Sequence, residues 1–314
     1  MRHKKLEIPE ILHGKRADIA ISELLGNELS RNQVKDLIKS GDILINDERC
    51  KPKDKVCHND QIDVSIPDAE VSSWTAEDIN LDIIFACDDY AIINKPAGLV
   101  MHPGAGVKSG TLANGVAKIY PEVLSLPRNG IVHRLDKDTS GLVVIARKNS
   151  FRNHIADQFQ NREVEKKYLA VIKGEIIGAL TIDKPIARDR QNRTKMKVDE
   201  SGREAISEAI SLESFGGYSV VEVKIETGRT HQIRVHLSSN KTPIIGDKAY
   251  GSRSQLIKNL SDNLKDKILS FPRQALHAYQ LAFLDASNEM QTYKSNLPDD
   301  ILGLIESLKS NENA

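Results

Sequence analysis

Apolar positions near the start of the chain recur first at helical and then at strand spacing. Apolar side chains at helical spacing predict a helix over 17–25. A second amphipathic run, RNQVKDLIKSG, predicts a helix that begins after an N-cap at Ser30 and ends at Gly41. The stretches DILINDERC and QIDVSIP then alternate apolar and polar residues, as short strands around a polar turn do. We therefore predict a compact module over residues 1–70.

Short apolar runs dominate the rest of the chain. LDIIFAC and YAIINKP, separated by two aspartates, predict a β-hairpin. Further strand-like runs are GLVVIAR, YLAVIKG, SVVEVKIET and LAFLDA, and several follow one another without a helix between them. This order favours an α+β fold with a mixed, mainly antiparallel central sheet over a doubly wound one. We predict a linker over 71–79, where periodicity is lost, and a large domain over 80–314.

Composition narrows the class of protein without identifying a partner. The 44 Lys and Arg residues balance 44 Asp and Glu residues, so a nucleic-acid site would have to be a local basic face. The N-terminus lacks the apolar segment of a signal peptide, and no apolar run approaches the ~20 residues needed to span a bilayer. We therefore expect a cytoplasmic protein that has no membrane partner.

The three cysteines contain no CxxC pair, which fits a reducing compartment. Cys50, Cys57 and His58 could in principle hold zinc, but four well-spaced ligands are missing. We therefore predict no metal site.

Two groups of cations could face a nucleic acid. Arg31, Lys35 and Lys39 recur every four residues, so they share one face of the second predicted helix. A basic loop or hairpin is formed by Arg188, Arg190, Arg193, Lys195 and Lys197. Either group could contact an RNA backbone, although a charge run is more often a solvated helix face.

The densest cluster of reactive residue types is GIVHRLDKDTSGLVV, at 130–144. We expect a loop between two strands there. Asp, Thr, Ser and Gly are typical turn residues, so Asp136 could simply cap a tight connection. That interpretation leaves His133, Arg134 and Lys137 unexplained, whereas a loop on a rigid scaffold is well suited to present a catalytic carboxylate.

A second cluster, TGRTHQIRVHL at 227–237, follows a predicted strand. Thr230 could cap a short helix on which His231 and Arg234 are neighbours three residues apart. His231 and His236 are five apart and point to different sides, which disfavours zinc. Arg234 could belong to a structural ion pair, or it could face a carboxylate that it keeps ionised and oriented.

A third cluster, KKYLAVIKG at 166–174, is a predicted strand in which Tyr168 shares the apolar face with Ala170 and Ile172. A tyrosine at such a position is more often core packing with a satisfied hydroxyl than a catalytic group. Walker loops, GxSxG and HExxH do not occur in the sequence.

Together these clusters resemble the RluA/RluD family of ribosomal large-subunit pseudouridine synthases, and they look most like its D-type members. The matching motifs follow the family's order: NKPAGLVMHPGAG, GIVHRLDKDTSGLVV, KKYLAV, TGRTHQIRVHL, PIIGDKAYG and RQALHA. The stretch SRNQVKDLIKSGDILIN resembles the RNA-binding domain named after ribosomal protein S-four. The resemblance implies a pseudouridine synthase fold and site-specific isomerisation of uridine in large-subunit ribosomal RNA or its precursor. It also implies a monomer that needs no cofactor.

The resemblance assigns roles to individual residues. Asp136 would be the catalytic carboxylate, which either attacks C1′ or removes the C2′ proton, and Arg234 would keep it ionised. Tyr168 would stack on the extruded base and could move a proton. Arg134 would fill the gap that the extruded nucleotide leaves, offsetting part of an unstacking cost of a few kcal/mol. The residues expected to contact RNA are Arg134, Arg31, Lys35, Lys39, His133 and Arg229.

Two other functions compete with this interpretation. An assembly factor that binds ribosomal RNA without catalysis would share the N-terminal module, but it has no use for Asp136, Tyr168 and Arg234 together. A glycosidase or nucleosidase would need a second positioned acid. Asp138 is the nearest candidate, and in a turn it need not face the same way.

Overall fold

The computed structural model describes residues 2–29, 31–66, 74–104, 106–251, 256–258 and 260–312. Its helices are α1 (Ala17–Leu25), α2 (Arg31–Ser40), α3 (Leu112–Ile119), α4 (Asn149–Asn161), α5 (Gln232–Ser239), α6 (Asp262–Ser270) and α7 (Asp299–Glu312). The strands before residue 150 are β1 (Arg2–Glu7), β2 (Ile43–Ile45), β3 (Glu48–Arg49), β4 (Gln61–Ile66), β5 (Asp82–Ala86), β6 (Tyr90–Lys95) and β7 (Ser140–Ala146). The later strands are β8 (Glu165–Lys173), β9 (Ala179–Asp183), β10 (Ile186–Arg188), β11 (Met196–Val198), β12 (Ile206–Ser214), β13 (Tyr218–Ile225), β14 (Leu276–Leu284) and β15 (Met290–Lys294).

The N-terminal region forms its own small sheet, in the strand order β1-β4-β2-β3 with antiparallel neighbours. Helices α1 and α2 bury Ile21, Val34 and Ile38 against this sheet in a separate hydrophobic cluster. The bounds of α1 confirm the helix that periodicity predicted. Gly41 ends α2 at a φ of 90°, whereas the predicted N-cap at Ser30 lies outside the described residues.

The second sheet has the order β5-β6-β7-β14-β8-β13-β12-β9, and β15 pairs with β14. Its neighbouring strands are antiparallel except for β7 and β14, which run parallel. The α+β fold with a mainly antiparallel sheet is thus confirmed, as are the β5–β6 hairpin and the hairpin that β10 and β11 form.

Strand β7 is buried along its whole length because both faces of the sheet are covered there. Val143 and Ile145 belong to the main core. Leu142 and Val144 pack with Phe151 of α4 in a second cluster on the other face. The segment that leads into β7 is therefore attached to a rigid element.

The chain before β7 differs from the predicted pair of strands. Ile131 makes only an isolated bridge to Ile145, and short 3₁₀ turns occupy the residues before it. Gly130 has a φ of 73°, and a Cβ there would lie 2.0 Å from the Ala146 carbonyl oxygen. The close approach of the two backbones requires glycine, and its positive φ turns the chain away from a regular ladder.

Residues 67–73 lie outside the described part of the chain, so the domain boundaries and the linker stay predictions. Residues 74–79 have no regular structure, but Trp74 and Ile79 pack against the main core. Within the described ranges, no helix combines the length and apolar character that a membrane crossing requires.

Candidate active site

A cleft of roughly 460 Å³ opens where three separate segments meet. The loop before β7 contributes Asp136, strand β8 contributes Tyr168, and helix α5 contributes Arg234. This volume lies within the range of about 300–1,000 Å³ that is typical of ligand sites. The fold thus brings together the three side chains that the sequence singled out from distant motifs.

Arg234 lies between two carboxylates. Its Nη1 donates to Asp136 Oδ2 over 3.0 Å, while its Nε and Nη2 donate to Asp247 Oδ2 and Oδ1 over 2.7 and 2.9 Å. Arg234 is 8% exposed and Asp247 is 3% exposed, so water weakens these bonds little. The two hydrogen bonds to Asp247 fix the plane of the guanidinium, and this directs the Nη1 donor at Asp136.

Burial and neighbouring charges act in opposite directions on the pKa values of Arg234 and Asp247. Burial alone would lower the pKa of Arg234, but the charges of Asp247 and Asp136 reverse that effect and raise it. Burial alone would raise the pKa of Asp247, but Arg234 and the amides of Ala249 and Tyr250 lower it. The pair therefore stays ionised, and the guanidinium keeps a full charge beside Asp136.

The loop that carries Asp136 is fixed by backbone contacts. Lys95, which is fully buried, donates from Nζ to the carbonyl oxygen of Lys137 over 3.0 Å and to two further carbonyls. The amide of Thr139 bonds the Asp136 carbonyl oxygen, closing the turn, and Gln274 donates to the Thr139 hydroxyl. A carboxylate held on such a loop is pre-organised for chemistry.

Tyr168 faces the cleft from β8, as the predicted alternation requires. It is 6% exposed, and its neighbours Lys167 and Leu169 lie on the other face of the strand. Burial raises the pKa of the Tyr168 hydroxyl, and the charge of Asp136 adds to the increase. The phenol therefore remains protonated near neutral pH, where it can donate a hydrogen bond but cannot act as a base.

Two of the predicted RNA contacts line the wall and rim of the cleft. Arg134 is exposed. His133 is half-buried, stacks on Phe159 with ring centroids 5.0 Å apart, and accepts a bond from the Val144 amide over 3.0 Å. Burial, with the charge of Lys166, lowers the pKa of His133 to about 3. His133 is therefore a neutral part of the wall, whereas Arg134 is a charged rim residue.

The other predicted contacts are more dispersed. Arg229 also lines the cleft, where its Nε donates to the Glu204 carbonyl oxygen over 2.9 Å. The three cations of α2, Arg31, Lys35 and Lys39, do not line the cleft.

In the basic row of α2, Arg31 donates twice to the buried Asp18, over 3.0 and 2.9 Å. Lys35 Nζ lies 3.7 Å from the same carboxylate. Lys39 is 67% exposed at its side chain and lies 3.6 Å from Asp36. The row therefore combines structural ion pairing with one cation that is more available to a ligand.

The start of α5 differs from the prediction. His231, not Thr230, is the N-cap residue, and it adopts a left-handed conformation with a φ of 57° and no side-chain capping bond. The turn brings the His231 Nε2 to within 3.9 Å of Asp136 Oδ2. A threonine cap is wrong here because the chain enters the helix through this positive-φ turn rather than from an extended residue.

Sequence reasoning missed the roles of Asp247 and Tyr250, although both lie in the motif PIIGDKAYG. The Tyr250 ring lies 5.1 Å from the Arg234 guanidinium carbon. An aspartate followed by an aromatic residue in a turn is the available signal. It does not by itself indicate which arginine the aspartate binds.

Metal binding finds no support in the described ranges, which contain no group of three His, Cys, Asp or Glu side chains suited to a metal ion. His231 and His236 bind different partners, the first Tyr250 and the second Ser207 and Lys184. The three cysteines are free thiols.

Comparison with known proteins places these features in a family. Residues 89–239 match the family model described as RNA pseudouridylate synthase, and residues 16–62 match the S4 domain. A protein of Xanthomonas campestris pv. campestris named ribosomal large subunit pseudouridine synthase D is 39% identical over 96% of this chain and 91% of its own length. The protein of the same name from Pseudomonas aeruginosa is 39% identical over 100% of this chain and 98% of its own.

A solved structure shows the same fold. Human RNA Pseudouridylate Synthase Domain Containing 4 is 26% identical, has a TM-score of 0.58, and matches 73% of this chain and 93% of its own. The relatives that are 39% identical match nearly the full length of this chain and of their own. The chain therefore belongs to the RNA pseudouridylate synthase family and carries an N-terminal S4 domain.

Proposed function

We propose that this enzyme converts selected uridines of large-subunit ribosomal RNA to pseudouridine, with Asp136 as the catalytic carboxylate. The observation that carries the proposal is the 3.0 Å bond from Arg234 to Asp136 in an open cleft. The names of the similar proteins support the substrate, and the S4 match supports RNA binding.

The reaction breaks the N1–C1′ bond of a uridine, turns the uracil, and joins its C5 to C1′. The proton lost from C5 is balanced by the proton that N1 gains. The reaction is redox-neutral and transfers no group from outside, so it needs no cofactor. Attack at C1′ and removal of the C2′ proton both require an ionised carboxylate. Arg234 supplies the positive charge that favours this form, while Asp247 holds Arg234 in place.

Tyr168 has two roles in this proposal. Its ring offers a flat apolar surface inside the cleft on which an extruded uracil can stack. Its hydroxyl, which stays protonated, can donate a hydrogen bond close to Asp136 but cannot serve as the base that removes a proton.

The charge of the cleft fits a polyanion. Among the described residues that line it, Asp136 is the only carboxylate, whereas Arg128, Arg134, Lys166 and Arg229 are cations. A chain with zero net charge thus concentrates positive charge where an RNA strand would enter. We assign the exposed Arg134 to the gap that the extruded nucleotide leaves in the RNA.

The same distribution argues against the glycosidase alternative. Such enzymes use a pair of carboxyl groups about 5–9.5 Å apart on either side of the scissile bond. Asp138 does not line the cleft, and its backbone carbonyl oxygen accepts a hydrogen bond from Arg273. A non-catalytic assembly factor would have no use for the arrangement of Asp136, Arg234 and Asp247.

The decisive experiment compares Asp136→Asn with Asp138→Asn. Carbodiimide-based mapping of ribosomal RNA would be done on cells that lack the protein and are complemented with each variant. We expect Asp136→Asn to leave every target uridine unmodified and to lower the single-turnover rate in vitro by at least about 10²–10⁴-fold. RNA affinity should change little, and Asp138→Asn should restore modification. Substantial activity of purified Asp136→Asn would refute the assignment.

A further inference from the structure

His231 links Asp136 to Tyr250. The His231 Nδ1 lies 2.8 Å from the Tyr250 hydroxyl oxygen, and its Nε2 lies 3.9 Å from Asp136 Oδ2. The Tyr250 hydroxyl also accepts a bond from the Met196 amide over 2.7 Å. Four groups from separate segments therefore form one row that ends at the proposed catalytic carboxylate.

The neighbours at both ends of the imidazole favour the same tautomer. The Met196 amide occupies a lone pair of the Tyr250 oxygen, and His231 Nδ1 is the acceptor within reach of the hydroxyl proton among the described residues. If Tyr250 donates to Nδ1, then Nε2 must carry the proton of the neutral ring. At the other end a carboxylate oxygen can only accept, so a hydrogen bond from His231 to Asp136 would also need hydrogen on Nε2.

The ring is neutral near neutral pH, so the tautomer matters. Burial lowers the pKa of His231, the charge of Asp136 opposes the decrease, and Arg234 adds to it. A neutral imidazole has a single N–H, and Tyr250 decides which nitrogen holds it.

The backbone of His231 is also unusual. A φ of 57° is a left-handed conformation that few residues other than glycine adopt, histidine more often than most. Here it directs the imidazole from the start of α5 toward both Tyr250 and Asp136.

We propose that His231, held by Tyr250 as the Nε2–H tautomer, is a positioning residue that donates to Asp136 Oδ2 when the nucleotide is bound. The proposal rests on the function proposed above. Arg234 already bonds the same oxygen, so two donors on Oδ2 leave Oδ1 directed at the substrate. The 3.9 Å separation exceeds a direct hydrogen bond, and a movement of roughly 1 Å on substrate binding closes it.

Tyr250 connects His231 and Asp136 to the basic hairpin that β10 and β11 form. Its hydroxyl is bonded to the backbone of β11, and Lys195 at the hairpin donates to the Ala249 carbonyl oxygen over 2.6 Å. RNA that contacts the hairpin therefore acts on the same turn that orients His231. This gives a physical route by which binding could close the gap to Asp136.

The first test measures the tautomer itself, without reference to activity. The ¹⁵N shifts of the histidine ring nitrogens distinguish protonated from unprotonated positions in the labelled protein. We expect His231 to be the Nε2–H form, and Tyr250→Phe to mix the tautomers. His236 is an internal control, because its Nε2 faces the Lys184 carbonyl oxygen and its Nδ1 faces the Ser207 hydroxyl, and it should not change. A wild-type His231 protonated at Nδ1 would overturn the proposal.

The second test separates donation from folding by comparing two substitutions. His231→Asn tolerates the left-handed backbone but lacks a donor at the Nε2 position, whereas His231→Gln can place an amide N–H near it. We expect His231→Asn to lower the single-turnover rate by about 10–100-fold with RNA affinity within about threefold. The single-turnover rate of His231→Gln should be at least about threefold higher than that of His231→Asn. Equal rates for both variants, or an unchanged rate for His231→Asn, would overturn the proposal.

The matched control for Tyr250→Phe is Tyr218→Phe, because the buried Tyr218 hydroxyl also accepts a backbone amide bond, from Ile257. Tyr218→Phe should leave the tautomer and the single-turnover rate unchanged, whereas Tyr250→Phe should change both. If Tyr250→Phe mixes the tautomers without slowing the reaction, the role of His231 is refuted and the proposed function stands. If the wild-type enzyme forms no pseudouridine, the proposed function fails, and with it this inference.

Discussion

Two ion-pair clusters built from the same residue types differ in which partner is exposed. In the N-terminal module the buried member is the carboxylate: Asp18 is 0% exposed, and the side chains of Arg16 and Arg31 are 47% and 46% exposed. In the large domain the buried members are Arg234 and Asp247, and Asp136 retains 16% side-chain exposure toward the cleft.

The difference separates a structural role from a chemical one. The Asp18 cluster satisfies a buried charge with cations that remain in water, which holds α1 and α2 together. The Arg234 cluster uses one buried pair to orient a donor at a second carboxylate that a ligand can reach. Arginine next to aspartate therefore indicates function only where one carboxylate stays open to a cleft.

The largest expected contrast comes from the same substitution in both clusters. Lysine keeps the charge of Arg234 but cannot bond Asp247 twice and Asp136 once. We expect Arg234→Lys to lower the single-turnover rate by about 10²-fold, because the carboxylate loses its orientation. Arg31→Lys should change that rate by less than about twofold.

Single-turnover rates and RNA dissociation constants of both variants check this expectation. If Arg234→Lys weakened RNA affinity and left the rate constant unchanged, Arg234 would be a phosphate contact instead of a support for Asp136.

A smaller effect, on stability, is expected from Asp18→Asn. The neutral amide loses charge-assisted bonds from Arg16 and Arg31, so we expect the free energy of unfolding of the N-terminal module to fall by about 1–3 kcal/mol at pH 7. Turnover on the bound substrate should be unaffected. Urea denaturation, monitored by hydrogen exchange of the amides in α1 and α2, measures the change.

The pH dependence sharpens this prediction. Burial alone would raise the pKa of Asp18, but Arg16 and Arg31 lower it below its usual value. A carboxylate whose pKa is lower in the folded than in the unfolded state stabilises the fold at pH values above the unfolded-state pKa, which is about 3.9 for Asp. This stabilisation is lost as the pH falls through the folded-state pKa. The difference between wild type and Asp18→Asn should therefore shrink below about pH 4. A constant difference down to pH 2 would contradict the ion-pair interpretation.

The smallest expected effect concerns RNA binding by α2. Lys39 is largely exposed, whereas the Arg31 head group is already bonded to Asp18. If Lys39 contacts a phosphate, Lys39→Ala should reduce the slope of log affinity against log salt by about 0.7–0.9, and Arg31→Ala should reduce it less. Filter binding over a range of salt concentrations checks this. A larger change for Arg31→Ala would show that its pairing with Asp18 does not compete with RNA.

Several elements were predictable from sequence because their signals are local. The bounds of α1 followed from helical spacing, and the β5–β6 hairpin from two apolar runs around a polar turn. The orientation of Tyr168 followed from the two-residue period of a strand. The predicted strand before Asp136 was wrong because Gly130 meets the Ala146 backbone, a contact that no local pattern encodes.

The sequence by itself determined the fold class and the residue types that carry the proposed chemistry, since periodicity and motif composition are properties of short segments. Only the tertiary structure decided which charges meet. Asp136 and Arg234 are 98 residues apart in the chain and share a hydrogen bond. Arg234 and His231 also bond Asp247 and Tyr250, which lie 13 and 19 residues farther along the chain. Pairing of this kind depends on how strands and helices pack in space, and distance along the chain carries no information about it.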